Sequence, residues 1–446
     1  MIDFERSREA RIKNAATDWW INEKCIVGTN GMTYIVYVTD KGEIHIKELD
    51  AKCSLTPSRD ICLCRINCNY ADEHNAPSLC ILESGRLIVS YTGHSQTRTL
   101  KYRMTERPYD ITSFGPERVL DFGGSVSYSQ VFENTAKHEV WLFTRVSSVT
   151  WEFRYSRDEG ETWSESSKFL VSDAGGLFYF NVRKFTVPCG NVMPPTKEGF
   201  CERWFFALYG HPRISNDHCI RSGMFDEEGW LLTMDGVRTG MNLYGAEKNG
   251  ADTAQLNLEE LQPVCEAAEG ETVRLLDVAP IPPFRVGYVS FALDDPKSIT
   301  YYSATYGNGE WKRSAPIAHA GEFLAPGQTD GSQTYVGGMA YYYGVGEMGF
   351  HPADGGETDT NKIYIARADE ESWRLESYVS NDCGATYVPE QVIRTIPKDG
   401  RQRKLWRPIV PIYAQDNMPV YWHEGTYTAH SGGWHSDAVM YIEYDL

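Results

Sequence analysis

Two histidines flank a segment with the pattern of a β-hairpin. The segment reads "YADEHNAPSLCILESGRLIVSYTGHSQ" (70–96), in which His74 precedes the first apolar run and His94 follows the second. Because "SGR" predicts a tight turn, the two ends of the hairpin meet and the two imidazoles are expected side by side. Polar residues placed this way in loops tend to be binding groups. We therefore interpret His74 and His94 as functional residues.

The next segment repeats this layout with a tyrosine and an arginine. In "SYSQVFENTAKHEVWLFTRVSS" (127–148), Tyr128 opens the first predicted strand and Arg145 closes the second. The alternative reading makes Tyr128 a core aromatic and Arg145 a surface charge. Since Arg145 follows the apolar run "VWLFT" at the end of its strand, a surface position for Arg145 is disfavoured, while both readings of Tyr128 stay open.

Two further segments carry polar residues that a strand does not need. The strand "FFALYGHPR" (205–213) ends in Tyr209, His211 and Arg213, and "LWRPIVPIY" (405–413) contains Arg407. These four residues are candidate functional residues together with Arg145.

A repeated turn motif indicates the elements that position these residues. "SRDEGETW" (156–163) and "SNDCGATY" (380–387) share the pattern Ser-x-Asp-x-Gly-x-Thr-aromatic, and a predicted hairpin precedes each copy. The aspartates are expected to accept hydrogen bonds from the turn, the glycines to take positive φ, and Trp163 and Tyr387 to fold back onto their own hairpins. The motif is predicted to be structural rather than catalytic.

The separation of the two copies predicts the architecture. The 224 residues between them would hold four hairpin units of about 56 residues each. We therefore predict an all-β chain, residues 1–446 forming a single β-propeller closed by pairing of the N- and C-terminal strands. Seven blades of four antiparallel strands are preferred, and six are the alternative.

Composition excludes several classes of function. The chain has 27 Tyr, 18 Phe, 12 Trp and 39 Gly, as expected for strands joined by tight turns, and its formal net charge is −18. This charge disfavours nucleic-acid or anionic-membrane partners, because the long-range field repels both. The charged N-terminal segment has no apolar stretch, which predicts a cytoplasmic protein, or a secreted or periplasmic one if a signal peptide has been removed.

No spacing is diagnostic of a metal or cofactor. The acidic segments "DEEG" (226–229) and "HPADGGETDTN" (351–361) are candidates for a structural Ca²⁺, and no cofactor is expected to be required. The pair His74 and His94 has no third zinc ligand at a defined spacing. In "CLCRINC", Cys62, Cys64 and Cys68 match no standard zinc pattern and are predicted to be packed thiols.

Several of these segments together resemble a known enzyme group. The motifs "DEHNAPSL", "SGRLIVSYTGHS", "SYSQVF", "VWLFTR", "LYGHPR", "LLDVAP", "YVGGMAYY" and "WRPIVP" are similar to those of seven-bladed propeller enzymes related to ulvan lyases and rhamnose–glucuronate lyases. The turn motif resembles the Asp-box of BNR-repeat proteins such as sialidases, but the chain lacks their N-terminal Phe-Arg-Ile-Pro motif. The resemblance covers the chain from about residue 65 to the C-terminus.

This resemblance implies an activity and a role for each candidate residue. The expected enzyme is a lyase that cleaves a glycosidic bond at C4 of a uronic acid by β-elimination, in a polysaccharide or oligosaccharide that contains rhamnose and uronate. Tyr128 is expected to act as base and acid, His74 and His94 to neutralise the uronate, and Arg145 and Arg213 to hold its carboxylate. Tyr209, His211 and Arg407 would line the pocket.

Two alternatives remain open at this point. A glycoside hydrolase would need two carboxylates across the scissile bond, for which Asp72, Glu73 and Asp277 are the candidates. A non-catalytic glycan-binding propeller would keep the aromatic residues without needing His74 or Tyr128 for activity.

Overall fold

A computed structural model describes most of the chain. The described residues are 24–39, 41–50, 59–66, 73–171, 177–188, 200–211, 218–245, 254–280, 282–324, 336–342, 361–399, 403–412, 420–428, 435–436 and 439–443.

These residues form seven antiparallel sheets, which follow one another along the chain. Sheet one contains β1 (Cys25–Val27), β2 (Met32–Val38), β3 (Glu43–Asp50) and β4 (Arg59–Arg65). Sheet two contains β5 (Ser78–Ile81), β6 (Leu87–Tyr91), β7 (Thr99–Met104) and β8 (Arg118–Asp121). Sheet three contains β9 (Val126–Asn134), β10 (Glu139–Val146), β11 (Thr150–Ser156) and β12 (Ser167–Val171).

The remaining sheets are larger or have shorter outer strands. Sheet four contains β13 (Phe178–Pro188), β14 (Phe200–Gly210), β15 (Cys219–Asp226), β16 (Trp230–Leu232), β17 (Arg238–Asn242) and β18 (Gln262–Glu266). Sheet five contains β19 (Thr272–Ala279), β20 (Arg285–Phe291), β21 (Thr300–Gly307), β22 (Glu310–Arg313) and β23 (Ala318–His319). Sheet six contains β24 (Gly338–Tyr341), β25 (Lys362–Ala368), β26 (Ser372–Val379) and β27 (Val388–Pro397). Sheet seven contains β28 (Arg403–Ile409), β29 (Val420–Thr428), β30 (His435–Ser436) and β31 (Val439–Glu443).

The first strand of each sheet lies at the centre of the molecule. Successive first strands contact one another, as β1 contacts β5, β5 contacts β9, β13 contacts β19, β19 contacts β24 and β24 contacts β28. Sheets seven and one meet through a parallel bridge between Ile26 and Ile412, in which Val27 N donates to Ile412 O at 2.9 Å. The sheets are therefore the blades of a propeller around one axis. The all-β propeller is confirmed, and the described residues form seven sheets.

The whole of residues 1–446 as one domain stays a prediction, since the described residues begin at Lys24. The last sheet is built from the C-terminal strands β28–β31; β1 meets it through the Ile26 bridge and through Cys25, which packs in one buried cluster with Ile409 and Tyr421.

Large aromatic side chains fill the spaces between neighbouring blades. Trp141 of blade three stacks on Trp204 of blade four with ring centroids 4.2 Å apart, and both are fully buried. Phe143 and Phe180 pack across the same boundary at 5.8 Å. Neighbouring blades cover both faces of an inner strand, so the sequences of these strands are nearly continuous apolar runs. Polar residues within such a strand are therefore exceptional.

The two turn motifs have the same internal hydrogen bonds. Asp382 Oδ1 accepts the backbone N–H of Thr386 at 2.9 Å, and Asp382 Oδ2 accepts its hydroxyl at 2.7 Å. Asp158 and Thr162 make the equivalent contacts at 2.8 and 2.6 Å. The Thr386 hydroxyl and N–H lower the pKa of Asp382 to about 2. The predicted structural role of the motif agrees with this geometry.

The aromatic residue of each motif packs against the preceding blade, not against its own hairpin as predicted. Trp163 Nε1 donates to the Tyr102 hydroxyl of blade two at 3.1 Å, and the Tyr387 hydroxyl donates to Ser303 Oγ of blade five at 3.3 Å. The turn lies at the end of its hairpin, so a large ring there reaches the neighbouring sheet. The motif therefore joins adjacent blades.

The glycine of the motif provides a first test. Gly384 has φ +89°, and a Cβ added to it would lie 2.5 Å from Thr305 Oγ1, whereas Gly236 has φ +80° with no atom within 4 Å. We expect Gly236→Ala to cost about 1–2 kcal/mol through backbone strain alone. Gly384→Ala adds a clash in a buried contact and should cost a further 1–3 kcal/mol, roughly. Thermal denaturation measures the stability that each variant loses relative to the unmodified protein. Equal losses of stability in the two variants would contradict the blade-joining role.

Glu133 provides a second test, through pH. Burial raises the pKa of this carboxyl to about 7, although Lys184 nearby lowers it. The folded chain therefore binds this proton more tightly than the unfolded chain, and stability falls as the pH rises from about 4.5 to 7. Glu133→Gln should stabilise the protein by roughly 1–3 kcal/mol at pH 8 and by little near pH 4.5. Chemical denaturation at both pH values measures the free energy of unfolding, with Glu269→Gln at an exposed position as the control. If Glu133→Gln raises this free energy by the same amount at both pH values, this account is wrong.

Candidate active site

The structure places the two hairpin histidines against each other. His74 lies in a 3-10 helix, Glu73–Asn75, just before β5, and His94 follows β6. Their rings stack with centroids 4.2 Å apart and planes 9° apart. The buried amide of Asn75 accepts the backbone N–H of His94 at 2.7 Å. This bond joins the two ends of the hairpin, so the histidine pair has a fixed spacing.

Tyr128 lies beside this pair because of an irregularity in β9. Its ring centroid is 6.0 Å from that of His74 and 5.8 Å from that of His94. The register between β9 and β10 shifts between Phe143 and Arg145, where β9 has one extra residue, and Tyr128 has φ +61°. Thr144 Oγ1 donates to Tyr128 O at 2.6 Å and stabilises the bulge. A β-bulge of this kind changes the direction of one side chain without altering the rest of the strand.

Arg145 lies over the ring of Tyr128. Its guanidinium carbon is 4.5 Å from the Tyr128 centroid and 5.7 Å from that of Tyr179, and the side chain is buried. Arg145 Nε and Nη1 have no hydrogen-bond partner among the described residues. A buried guanidinium is costly without an anionic or polar partner. The site therefore contains a cation whose donors are open to a ligand.

Two more aromatic residues and a histidine extend the site into blade four. Tyr179 of β13 stacks with Tyr209 of β14 at 5.2 Å and with His211 at 5.7 Å. Burial raises the pKa of the Tyr209 hydroxyl, while the nearby cations Arg274 and Arg407 act in the opposite direction. Tyr209 and His211 thus lie next to the group formed by His74, His94, Tyr128 and Arg145.

Arg407 and Arg213 differ from the other predicted binding residues. Arg213 lies outside the described residues. Arg407 lies on β28 and lines a cavity that also contacts Lys24, Arg183 and Asp277. The structure places it with these residues among the inner strands, around this axial cavity, and its charge also acts on the Tyr209 hydroxyl.

The carboxylates considered for hydrolysis do not form a pair among the described residues. Asp277 Oδ1 lies 3.6 Å from Arg183 Nη2, and its Oδ2 accepts the backbone N–H of Tyr341 at 2.9 Å. Asp72 lies outside the described residues, and the side chain of Glu73 is not described.

Two carboxylates of the acidic turn at 226–229 form ion pairs with arginines of the same sheet. Asp226 binds Arg238 at 2.7 Å and Glu227 lies 3.3 Å from Arg203. Within the described ranges, no group of three His, Cys, Asp or Glu side chains is placed to hold a metal ion. Cys62 and Cys64 are free thiols, Cys201 is disulfide-bonded, and Cys68 and most of 351–361 lie outside the described residues.

Sequence reasoning missed Tyr179, Asn181, Arg183 and Arg274. The segment "FYFNVRKF" alternates polar and apolar residues on β13, so the signal was visible in the sequence. Arg274 in "TVRLLDVA" had no such signal beyond a charge within an apolar strand.

The helices in the described part are three-residue 3-10 segments, none with the length and apolarity of a membrane span.

Comparisons with known proteins agree with this fold. Residues 32–175 match a model of a BNR repeat-containing family member. Two solved structures of a PL25 ulvan lyase, one bound to -[GlcA(1-4)Rha3S]-, have TM-scores of 0.62 and 0.60 at 13% identity, and each alignment covers 97% of this chain and 94% of the other. The polysaccharide lyase Uly1 has a TM-score of 0.50 at 12% identity, with 99% and 94% covered.

A comparison with curated protein sequences gives no match. The predicted resemblance to propeller polysaccharide lyases and BNR-repeat proteins is confirmed at low identity, and at this level the similarity to solved structures shows the fold.

The bond between Asn75 and His94 gives a prediction for this site. Asn75→Ala leaves the His94 N–H without its acceptor and should lower stability by roughly 1–3 kcal/mol. Asn181→Ala is the matched control, because Asn181 is equally buried and its amide atoms have no hydrogen-bond partner among the described residues. Chemical denaturation measures both losses, and faster modification of His94 by an acylating reagent should accompany Asn75→Ala alone. If the Asn181 variant loses as much stability, the hydrogen bond does not hold the pair.

Proposed function

We propose that this protein is a carbohydrate lyase that cleaves a glycosidic bond at C4 of a uronic acid. One observation carries the proposal: the buried guanidinium of Arg145 lies over Tyr128 with two donors that have no partner among the described residues. A carboxylate is the ligand that best fits open guanidinium donors. The histidine pair adjoins this position and supplies further hydrogen-bonding groups.

The chemistry requires removal of a weakly acidic proton. In β-elimination a base takes the proton from C5, the C4–O bond breaks, a C4–C5 double bond forms, and the leaving oxygen receives a proton. Negative charge develops on the carboxylate next to C5, so cationic or hydrogen-bonding groups around it lower the barrier. Arg145 and the pair His74 and His94 are the groups that would bind this carboxylate.

Tyr128 is the proposed base and acid. A cation beside a phenol favours the phenolate, and Arg145 lies 4.5 Å from the centroid of the Tyr128 ring. The same oxygen can take the C5 proton and return it to the leaving oxygen when both lie on one face of the sugar. The Tyr128 hydroxyl is buried, whereas His94 and His211 are half-buried.

The substrate class rests on the neighbours and on the residues together. One PL25 ulvan lyase structure contains a glucuronate–sulfated rhamnose repeat, which supports a polysaccharide or oligosaccharide of uronate and rhamnose here. Tyr179, Tyr209 and His211 form an aromatic wall suited to a sugar ring. Hydrolysis ranks second, because Asp277 already binds Arg183 and the backbone of Tyr341.

The test is the formation of the unsaturated uronate product. Tyr128→Phe should reduce the rate of ultraviolet absorbance increase on rhamnose–glucuronate oligosaccharides by roughly 10²–10⁴-fold. Arg145→Lys should raise KM, because it loses the bidentate geometry. Tyr306→Phe, whose hydroxyl donates to Asp235 elsewhere in the propeller, is the matched control and should retain full activity.

Three other outcomes would contradict the proposal. Sugar release without ultraviolet absorbance would indicate hydrolysis. If Tyr128→Phe keeps full activity and His94→Asn loses activity, the base is His94 and not Tyr128. Binding of the oligosaccharides without any product would indicate a glycan-binding propeller.

A further inference from the structure

A pair of serine hydroxyls joins the loop that carries His94 to the strand that carries Tyr128. Ser95 directly follows His94 in the chain, and Ser127 directly precedes Tyr128. The hydroxyl oxygens of Ser95 and Ser127 lie 2.8 Å apart and share a hydrogen bond between blades two and three. His94 and Tyr128 come from different blades, and each is one residue away from this contact.

Backbone hydrogen bonds hold the same loop against the first residue of β9. Ser95 N–H donates to Val126 O at 2.9 Å, and Val126 N–H donates to Thr97 O at 2.8 Å. Ser95 has φ +54°, in the left-handed region, which is uncommon for residues other than glycine, asparagine and aspartate. The loop therefore contacts β9 through its backbone and through one side chain.

Tyr128 needs support from its neighbours because its own backbone is strained. It has φ +61°, and a bulky residue in that region is held there only by the surrounding structure. Thr144 Oγ1 donates to Tyr128 O at 2.6 Å, and Ser90 Oγ donates to Ser129 Oγ at 2.9 Å on the other side of Tyr128. Together with the Ser127 hydroxyl, these contacts hold three consecutive residues of the bulged strand.

Only one side chain in these contacts is exposed. Thr144, Ser90, Ser129 and Ser127 are buried, whereas Ser95 is exposed. Removal of a buried hydroxyl leaves its partner unsatisfied and lowers the stability of the fold. Removal of the Ser95 hydroxyl opens its position to water, which takes over the hydrogen bond to Ser127 but does not join the two blades. Substitution of Ser95 therefore separates positioning from folding.

We propose that the hydroxyl pair of Ser95 and Ser127 positions the Tyr128 phenol against the histidine pair, and that Ser95 is a positioning residue for the elimination. This inference rests on the proposed function, in which Tyr128 takes the C5 proton while His74 and His94 bind the carboxylate. A base must come within about 3 Å of the proton that it takes, and a misplacement of about 1 Å lowers the rate by up to about 100-fold. In this role neither serine contacts the substrate.

Steady-state kinetics of Ser95→Ala on rhamnose–glucuronate oligosaccharides tests this role. We expect kcat, measured from the ultraviolet absorbance of the unsaturated product, to fall by roughly 10–100-fold, with KM within about twofold of that of the unmodified protein. Ser95→Asn should keep most of the activity, because asparagine tolerates positive φ and its amide can donate to the Ser127 hydroxyl. Ser166→Ala is the matched control: it removes a serine hydroxyl that accepts from Arg154 Nε at 2.7 Å just before β12, and it should retain full activity.

A double variant shows whether the two hydroxyls act through each other. If they do, Ser127→Ala combined with Ser95→Ala loses no more kcat than Ser127→Ala alone, because the contact is already absent. Losses of kcat that multiply would overturn the proposal. A raised KM at unchanged kcat in Ser95→Ala would also overturn it, since that result places Ser95 in contact with the substrate.

Hydrogen–deuterium exchange separates this proposal from the proposed function, because it does not need catalysis. Peptides covering 92–98 and 126–130 should exchange faster in Ser95→Ala and at the unmodified rate in Ser95→Asn and Ser166→Ala, since the hydroxyl contact holds the loop on β9. Faster exchange in a protein that forms no unsaturated product would contradict the proposed function and support the positional role of the hydroxyl pair. Unchanged exchange together with unchanged kcat in Ser95→Ala would show that the pair does not position Tyr128.

Discussion

The contact between the Arg145 guanidinium and the rings of Tyr128 and Tyr179 is the interaction on which the site depends. It joins blade three, which supplies Arg145 and Tyr128, to blade four, which supplies Tyr179. The histidine pair comes from blade two and reaches the same point. The geometry of the site is therefore set by how three blades pack against one another, and not by any single loop.

Side-chain hydrogen bonds between inner strands hold these blades in register. Gln130 of β9 donates to Phe180 O of β13 at 2.8 Å and accepts Val182 N–H at 3.1 Å, replacing a strand pairing that blades cannot make directly. On the other side, Ser90 Oγ donates to Ser129 Oγ at 2.9 Å. These buried contacts flank Tyr128, so its position is fixed from both neighbouring blades. A cation–π contact contributes only about 0.5–2 kcal/mol, far less than the cost of burying a charge, and the surrounding framework must supply the difference.

The sequence was sufficient for the parts of the structure that depend on local pattern. Turn chemistry and alternation predicted the hairpins, and hairpin geometry was enough to bring His74 and His94 together. It was not sufficient for Trp163, which packs on Tyr102 of the preceding blade, because the contact depends on how separate sheets pack. The position of Arg407 around the ring could not be predicted from its own strand: it lines the axial cavity, and its charge also acts on the Tyr209 hydroxyl.

Bulges place three polar residues in the interior of this propeller. Inner strands β9, β19 and β28 each carry one extra residue relative to their neighbours, next to Tyr128, Asp277 and Arg407. A regular strand turns alternate side chains to opposite faces, and in an inner strand both faces are packed against other blades. One extra residue redirects a polar side chain while leaving the apolar positions on either side in place. The same irregularity that brings a phenol to the histidine pair thus brings a guanidinium and a carboxylate to the axial cavity, whereas Arg183 reaches that cavity from β13, whose pairing with β14 is regular.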